Sequence, residues 1–234
     1  MLDILQDDDH LIALNKPAGI PCLPPDPTDK RQAPAGTPLL EEVKQYLLNR
    51  YKREGGIYLE LICAPDTDAS GIALFAKNNR SAQRLKTDLQ NRKFLFEFWA
   101  LCAHRPKLET GRLIHFLRYA YEKDQMQVFT NHQPNTQKAV LQYELLAALA
   151  NSNLLRVHTG NYLPQQVRAQ FSRIGCPVRG DKKYGDTKTA SAKHVYIHLH
   201  KLTFQHPATA QPLTLFARVN EKDNYWRFFV QFEE

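Results

Sequence analysis

Two segments carry side chains able to do chemistry. The first is Cys63-Ala64-Pro65-Asp66-Thr67-Asp68-Ala69-Ser70-Gly71, a polar stretch holding two carboxylates between two short apolar runs. A carboxylate on a loop gripped by strands on both sides can be aimed into a cleft by the rigid sheet behind it. Asp and Ser also favour turns for a plainer reason, because their side chains hydrogen-bond nearby backbone, and Asp68 is expected to cap the turn in that way. The second segment is Thr159 to Gly185, in which a helix carrying Arg168 and Arg173 is followed by Gly180-Asp181 and then Lys182 and Lys183. Arg168 can act there as a fixed guanidinium for a carboxylate or a phosphate. A run of charges more often marks a solvated face, and Asp181 beside Gly180 reads, like Asp68, as a turn cap.

The remaining reactive side chains point to less. His194, His198, His200 and His206 recur near the C-terminus. His198 and His200 would share one face of a strand, so a metal is conceivable, yet alternation alone does not make ligands converge and no metal is expected. Cys22, Cys63, Cys102 and Cys176 are scattered without a C-x-x-C pair. Neither a zinc site nor a disulfide framework is expected, and a reducing cytoplasm is the natural compartment. Lys plus Arg number 31 against 24 acids, a formal charge of +7 that suits a polyanion, most simply nucleic acid. Surplus lysines that only keep a surface soluble are the alternative. A glycosidase built on Asp66 and Asp68 gains no support from this balance. A hydrophobic content of 43% excludes a disordered chain, and 234 residues suffice for a core. No run approaches the roughly 18 apolar residues that span a bilayer, and the acidic start (Asp3, Asp7, Asp8, Asp9) lacks signal-peptide order.

The elements that must hold these side chains follow from pattern. His10 to Asn15 reads as a strand stopped by Lys16-Pro17-Ala18-Gly19. Pro21 to Pro38, with six prolines, reads as a long loop of the kind that often binds something. Thr37-Pro38 starts a helix whose Leu39, Val43, Tyr46, Leu47 and Tyr51 keep helical spacing. Tyr58 to Ile62 and Ile72 to Ala76 read as buried strands around the two-acid loop, Asn79 to Arg92 as an amphipathic helix, and Phe94 to Leu101 as a strand. From Gly111 onward the pattern is mainly strand and turn (Gln125 to Thr130, Ala139 to Leu145, Leu154 to His158), interrupted by a helix over Pro164 to Ile174 that ends at Gly175. His194 to Phe204 and Leu213 to Ala217 return to strands, and Tyr225 to Phe232 closes the chain. Many strands in mixed order with three helices predict an α+β fold on one mixed, largely antiparallel central sheet flanked by helices and loops. No repeat or domain boundary is visible, so residues 1–234 are expected to form a single domain.

Taken together the segments reach a resemblance. Asn15-Lys16-Pro17-Ala18-Gly19, Asp66-x-Asp68-x-Ser70-Gly71 and Leu74-Phe75-Ala76-Lys77-Asn78 look like the opening and catalytic blocks of the RluA-type RNA pseudouridine synthases. Gln166-Val167-Arg168-Ala169-Gln170, Ile174-Gly175-Cys176-Pro177-Val178 and Gly180-Asp181-Lys182-Lys183-Tyr184-Gly185 resemble the third block, and His198-Leu199-His200 through His206-Pro207 the closing strand. The blocks keep family order from about Asp9 to Ala217. The resemblance implies an isomerase that turns uridine in ribosomal or transfer RNA into pseudouridine without a cofactor. Asp66 would be its catalytic carboxylate and Arg168 the group holding it charged and oriented. Phe98 would stack on uracil, Lys16, Lys182 and Lys183 would lie at the RNA, and Tyr184 would serve as scaffold or RNA rim. RNA is the partner the resemblance implies; a cytoplasmic monomer without a membrane is expected, and, because the opening block starts near residue 10, no auxiliary N-terminal RNA-binding domain of the kind many relatives carry.

Several positions depart from the family. Its H-R-L-D-R loop reads Cys63-Ala64-Pro65-Asp66-Thr67 here, so the arginine that takes a flipped base's place becomes Ala64. The active-site tyrosine becomes Phe98. The T-G-R-x-H-Q-I-R block becomes Thr159-Gly160-Asn161-Tyr162-Leu163-Pro164-Gln165-Gln166-Val167-Arg168, two residues longer and with Asn161 at the first arginine. Two readings follow: an active synthase whose uridine is already unstacked, as in a loop or bulge, or a catalytically inactive RNA-binding paralogue of the same fold.

Overall fold

A computed structural model describes residues 2–25, 36–52, 55–149, 152–160, 163–186, 192 and 194–233. β1 (Ile4–Asp7) and β2 (Leu11–Lys16) open the chain, and β2 falls where the apolar HLIALN run implies it. Of the proline-rich stretch, residues 26–35 lie outside the described residues. Helix α1 (Leu39–Tyr51) follows. β3 (Glu60–Cys63) and β4 (Ser70–Ala76) bracket the two-acid loop as expected. Helix α2 (Asn79–Gln90) leads to β5 (Leu95–Cys102), β6 (Thr110–Ala120), β7 (Gln125–Phe129), β8 (Gln137–Leu149) and β9 (Ser152–Thr159). Helix α3 (Gln166–Arg173), β10 (Ile197–Gln205) and β11 (Pro212–Phe216) complete the regular elements, and two 3-10 turns, Trp226–Phe228 and Val230–Phe232, close the chain.

All eleven strands join one sheet in the order β1-β2-β4-β10-β5-β9-β8-β6-β7, with β3 added to β4 and β11 to β10. Among the described residues only β10 with β4 pairs parallel; the other pairings are antiparallel, so the mixed, largely antiparallel α+β architecture is the one expected. Gly71 marks the parallel junction. Its φ of +116° is open to glycine, and a Cβ there would lie 2.4 Å from the Leu199 backbone, so a side chain would drive β4 and β10 apart.

Alternation along the strands sorts the core into two layers. On β4, Ile72 and Leu74 meet Ala82 and Leu85 of α2, whereas Ala73 and Phe75 meet Leu39, Val43 and Leu47 of α1 on the other side. A 13-residue helix is marginal alone, and burying such side chains, at roughly 1.5–3 kcal/mol each, is what holds α1 in place. On β5, Ala100 packs with Val167 and Phe171 of α3, while Trp99 and Leu101 pack with Trp226 and Phe229 of the C-terminal turns. Helices α2 and α3 therefore share one face, and α1 and the C-terminal turns share the reverse. The reverse face is left open as a groove of about 580 Å³ over β10, β5, β9, β8 and β6.

Candidate active site

The fold brings Asp66 and Arg168 together across 102 positions of sequence. Arg168 leaves the first turn of α3 and is 4% exposed. Its Nη1 donates to Asp66 Oδ2 at 2.9 Å. Its other edge is clamped by Asp181: Nε donates to Oδ2 at 2.7 Å and Nη2 to Oδ1 at 2.8 Å. Burial alone would lower the guanidinium's pKa, but its bonds and charge pairing with the two carboxylates override that and push it up. Asp181 is wholly buried, whereas the Asp66 side chain keeps a quarter of its surface open. One carboxylate thus anchors the cation and the other faces outward on it.

Asp181 is more than the turn cap that its place beside Gly180 suggests. It does accept from the Tyr184 amide at 3.2 Å, capping a 3-10 turn over Lys182–Tyr184, but its two oxygens also hold Arg168. The signal available in the sequence was indirect: a buried arginine needs a buried counter-charge. The ring of Tyr184 packs 5.4 Å from the Arg168 guanidinium. Its hydroxyl accepts from the Met126 amide and donates to Gln165 Oε1, both at 2.6 Å, and burial first of all pushes the phenol pKa up. Of the two roles expected of Tyr184, scaffold or RNA rim, the buried side chain packed on Arg168 fits the scaffold. Helix α3 is further fixed from below, where Gln166 Nε2 donates to Gln170 Oε1 at 3.0 Å and Gln170 Nε2 lies 3.0 Å from His115 Nδ1 on β6.

The Asp66 loop is held by main-chain contacts. Ala69 N donates to Asp66 O at 3.0 Å and closes the turn, so Asp68 is not its cap; the Asp68 side chain stands exposed. Lys16 departs from expectation more sharply. It is fully buried, and its ammonium donates to the carbonyls of Pro17, Ile20, Thr67 and Ala69 at 3.0, 3.0, 3.1 and 2.7 Å. With every donor committed and no solvent contact, it cannot grip a phosphate; it ties β2 to the Asp66 loop instead. Burial lowers its pKa to about 8.

Phe98 is half-buried on β5, opposite Val157 and Leu199 and on the face that α2 and α3 cover. Its ring is stacked with that of Phe96, centroids 6.3 Å apart. Lys182 and Lys183 are exposed, and Lys183 donates to Asp124 Oδ2 at 2.6 Å. Ala64 is buried with the α1 cluster, so the loop offers no side chain there to fill a gap in an RNA helix. Asn161 lies outside the described residues. His198 and His200 both hydrogen-bond the Ala217 carbonyl, at 2.9 and 2.8 Å, and among the described residues no cluster of three or more metal-ligating side chains occurs.

A carboxylate partly open to solvent and steered by a clamped guanidinium, on an eleven-stranded α+β sheet, defines a class of site suited to chemistry at a sugar carbon. Comparison with known proteins gives that class a family. The profile described as RNA pseudouridylate synthase matches residues 10–173, and the chain belongs to this family of isomerases, which convert uridine in RNA to pseudouridine. Among its relatives is the ribosomal large subunit pseudouridine synthase C of Rickettsia typhi, 26% identical over 222 residues, covering 92% of this chain and 67% of that protein. The tRNA pseudouridine synthase C of Pasteurella multocida is 25% identical over 241 residues, covering 94% and 93%. In fold the chain is similar to human RNA pseudouridylate synthase domain containing 4, with a TM-score of 0.75 at 19% identity over 98% and 93% of the two chains. Human RNA pseudouridylate synthase domain containing 1 follows with 0.70 at 16% identity, over 94% and 84%.

Proposed function

We propose that this pseudouridine synthase acts on a uridine of ribosomal or transfer RNA, with Asp66 as catalytic carboxylate and Arg168 as the residue that positions it. The reaction breaks the bond from ribose C1′ to uracil N1, turns the trapped base and rejoins C1′ to C5; C5 gives up a proton and N1 takes one. An ionised carboxylate can attack or shield the electron-poor C1′ while the base is detached. The observation that carries this reading is the 2.9 Å bond from Arg168 to an Asp66 that remains open to solvent. Phe98, on the same face of the sheet, supplies a ring for the uracil, and Lys182 a charge for the backbone. The absence of a flipping side chain at Ala64 favours a uridine that is already unstacked, since extrusion from a helix costs roughly a few kcal/mol. We further propose that it works as a monomer in the cytoplasm, a reading supported by four free thiols.

The test is Asp66→Asn. Pseudouridine is mapped across ribosomal and transfer RNA of cells carrying the wild-type or the variant chain, and at least one site should vanish with the carboxylate. Retention of every site would refute the assignment.

A further inference from the structure

The reverse face of the sheet carries a cross-strand row of polar and charged side chains. Residues directly paired on neighbouring strands point to the same side. Phe216 opposes Lys201, Lys201 opposes Glu97, Glu97 opposes His158, His158 opposes Gln142 and Gln142 opposes Arg112. These six form one row across β11, β10, β5, β9, β8 and β6. The row faces away from Arg168, because Glu97 lies between Phe96 and Phe98, which point to the side of α2 and α3. The open groove lies along it, with Leu95 on its floor and Arg92 at its rim.

Its charges do not cancel. Glu97 is occupied by Arg156 at 3.7 Å and His158 at 3.9 Å. Among the described residues, Arg92, Arg112 and Lys201 have no acidic partner within 4 Å, and the Lys201 ammonium sits 5.0 Å from the Phe216 ring centre. Large apolar side chains stand in water beside these cations, with Leu95 62% and Phe216 48% exposed. Spare cations next to an exposed apolar floor suit one ligand chemistry: a phosphate backbone whose bases can lie against that floor.

We propose that this groove binds a single-stranded segment of the substrate RNA, separate from the uridine that reacts on the opposite face. This rests on RNA being the substrate. A strand seated there would hold a long RNA on the protein while the catalytic face handles one nucleotide, and turnover of a short substrate would not need it.

The experiment uses the full chain with Arg112→Glu and Lys201→Glu combined, both at the protein surface and outside the Asp66–Arg168 site. Affinity for a fluorescent 20-nucleotide oligouridylate is measured across 50–300 mM KCl. Removing two phosphate contacts should weaken binding at least tenfold at low salt and flatten the slope of log K against log salt by about 1.4. If the double charge reversal does not fold, Arg112→Gln with Lys201→Gln should show the same flattening. A 4-thiouridine oligomer should crosslink to peptides of β5 and β9 in the wild type. Unchanged affinity and slope, no binding of the oligomer to the wild type, or crosslinks confined to the Asp66 side would each overturn the proposal. So would a wild-type dimer that Leu95→Glu separates with RNA affinity intact, which would make the face a protein interface. Wild-type protein that forms no pseudouridine on any RNA defeats the functional reading, whereas active wild type with an indifferent groove variant defeats this inference alone.

Discussion

Replacing Asp181 with Asn separates anchoring from chemistry. The side chain is almost isosteric, but it removes the negative charge and turns one oxygen that accepts from Arg168 into an amino group facing it. The lost contact is one of two charge-assisted bonds, 2.7 and 2.8 Å long, in a wholly buried position. Depriving a buried charge of its partner costs about 3–5 kcal/mol. Asn still offers one acceptor and Asp66 still offers another, so the lower end applies. At about 2–4 °C per kcal/mol for a chain of this size, the melting temperature should fall by about 6–12 °C. Arg168 should also lose its fixed orientation, and kcat should drop about 100-fold with little change in KM for RNA. Asp66→Asn makes the contrast: it removes one bond at a partly open position, so its melting point should shift by no more than a few degrees while turnover disappears. Differential scanning calorimetry and single-turnover tritium release from C5-labelled RNA measure the two effects. An Asp181→Asn protein that melts within about 2 °C of wild type and turns over normally would refute the anchoring role.

Two more outcomes are expected. Lys16→Met should destabilise the fold by about 1–3 kcal/mol, because four buried carbonyls lose their donor, and should reduce kcat since two of those carbonyls flank the Asp66 turn. A variant with unaltered melting and kcat would show that the tether is dispensable. His198 supplies a pH dependence: burial holds its pKa down to about 3, and burial also lowers His200 and His115. The unfolded chain takes up a proton at about 6.5 and the native chain does not, so stability falls as pH drops from about 6.5 toward 3, by up to about 1.4 kcal/mol per unit from His198 alone. Melts between pH 7.5 and 5 check this, and a flat profile across that window would contradict it.

The sequence revealed the strands and the paired charges of the candidate site far better than the support around them. Short apolar runs and turn residues placed β2, β4 and β5 within a few residues, because these strands are buried along most of their length and stop at Gly, Pro or a polar run, and Pro164 and Gly175 bounded α3. Asp66 and Arg168 stood out as a candidate pair because two separated blocks each carry a charge where the resemblance places one, and the fold brings the two within 2.9 Å. Asp181 was half legible, since a capping aspartate and a buried counter-ion look alike until the third dimension brings a guanidinium to it. Lys16 misled for the opposite reason. A lysine at the end of a strand, before Pro-Ala-Gly, reads as a surface cation, and only the return of the Thr67–Ala69 loop over it encloses the ammonium. Tyr184 likewise sits among exposed lysines in sequence, while its side chain turns inward. The groove on the reverse face was invisible altogether, because its row of residues comes from six strands and is assembled by register alone.

The unequal grip on Arg168 has a consequence for the reaction itself. When a carboxylate bonds to a sugar it surrenders its charge, and a guanidinium that depended on it would be stranded in a dry interior at that instant. Here the cation is already neutralised from behind, and among the described residues the second oxygen of Asp66, Oδ1, has no hydrogen-bond partner. On the proposed covalent route Asp66 would swing out, become an ester and return while its partner stays still, so the electrostatic cost of that state would be met before any substrate arrives.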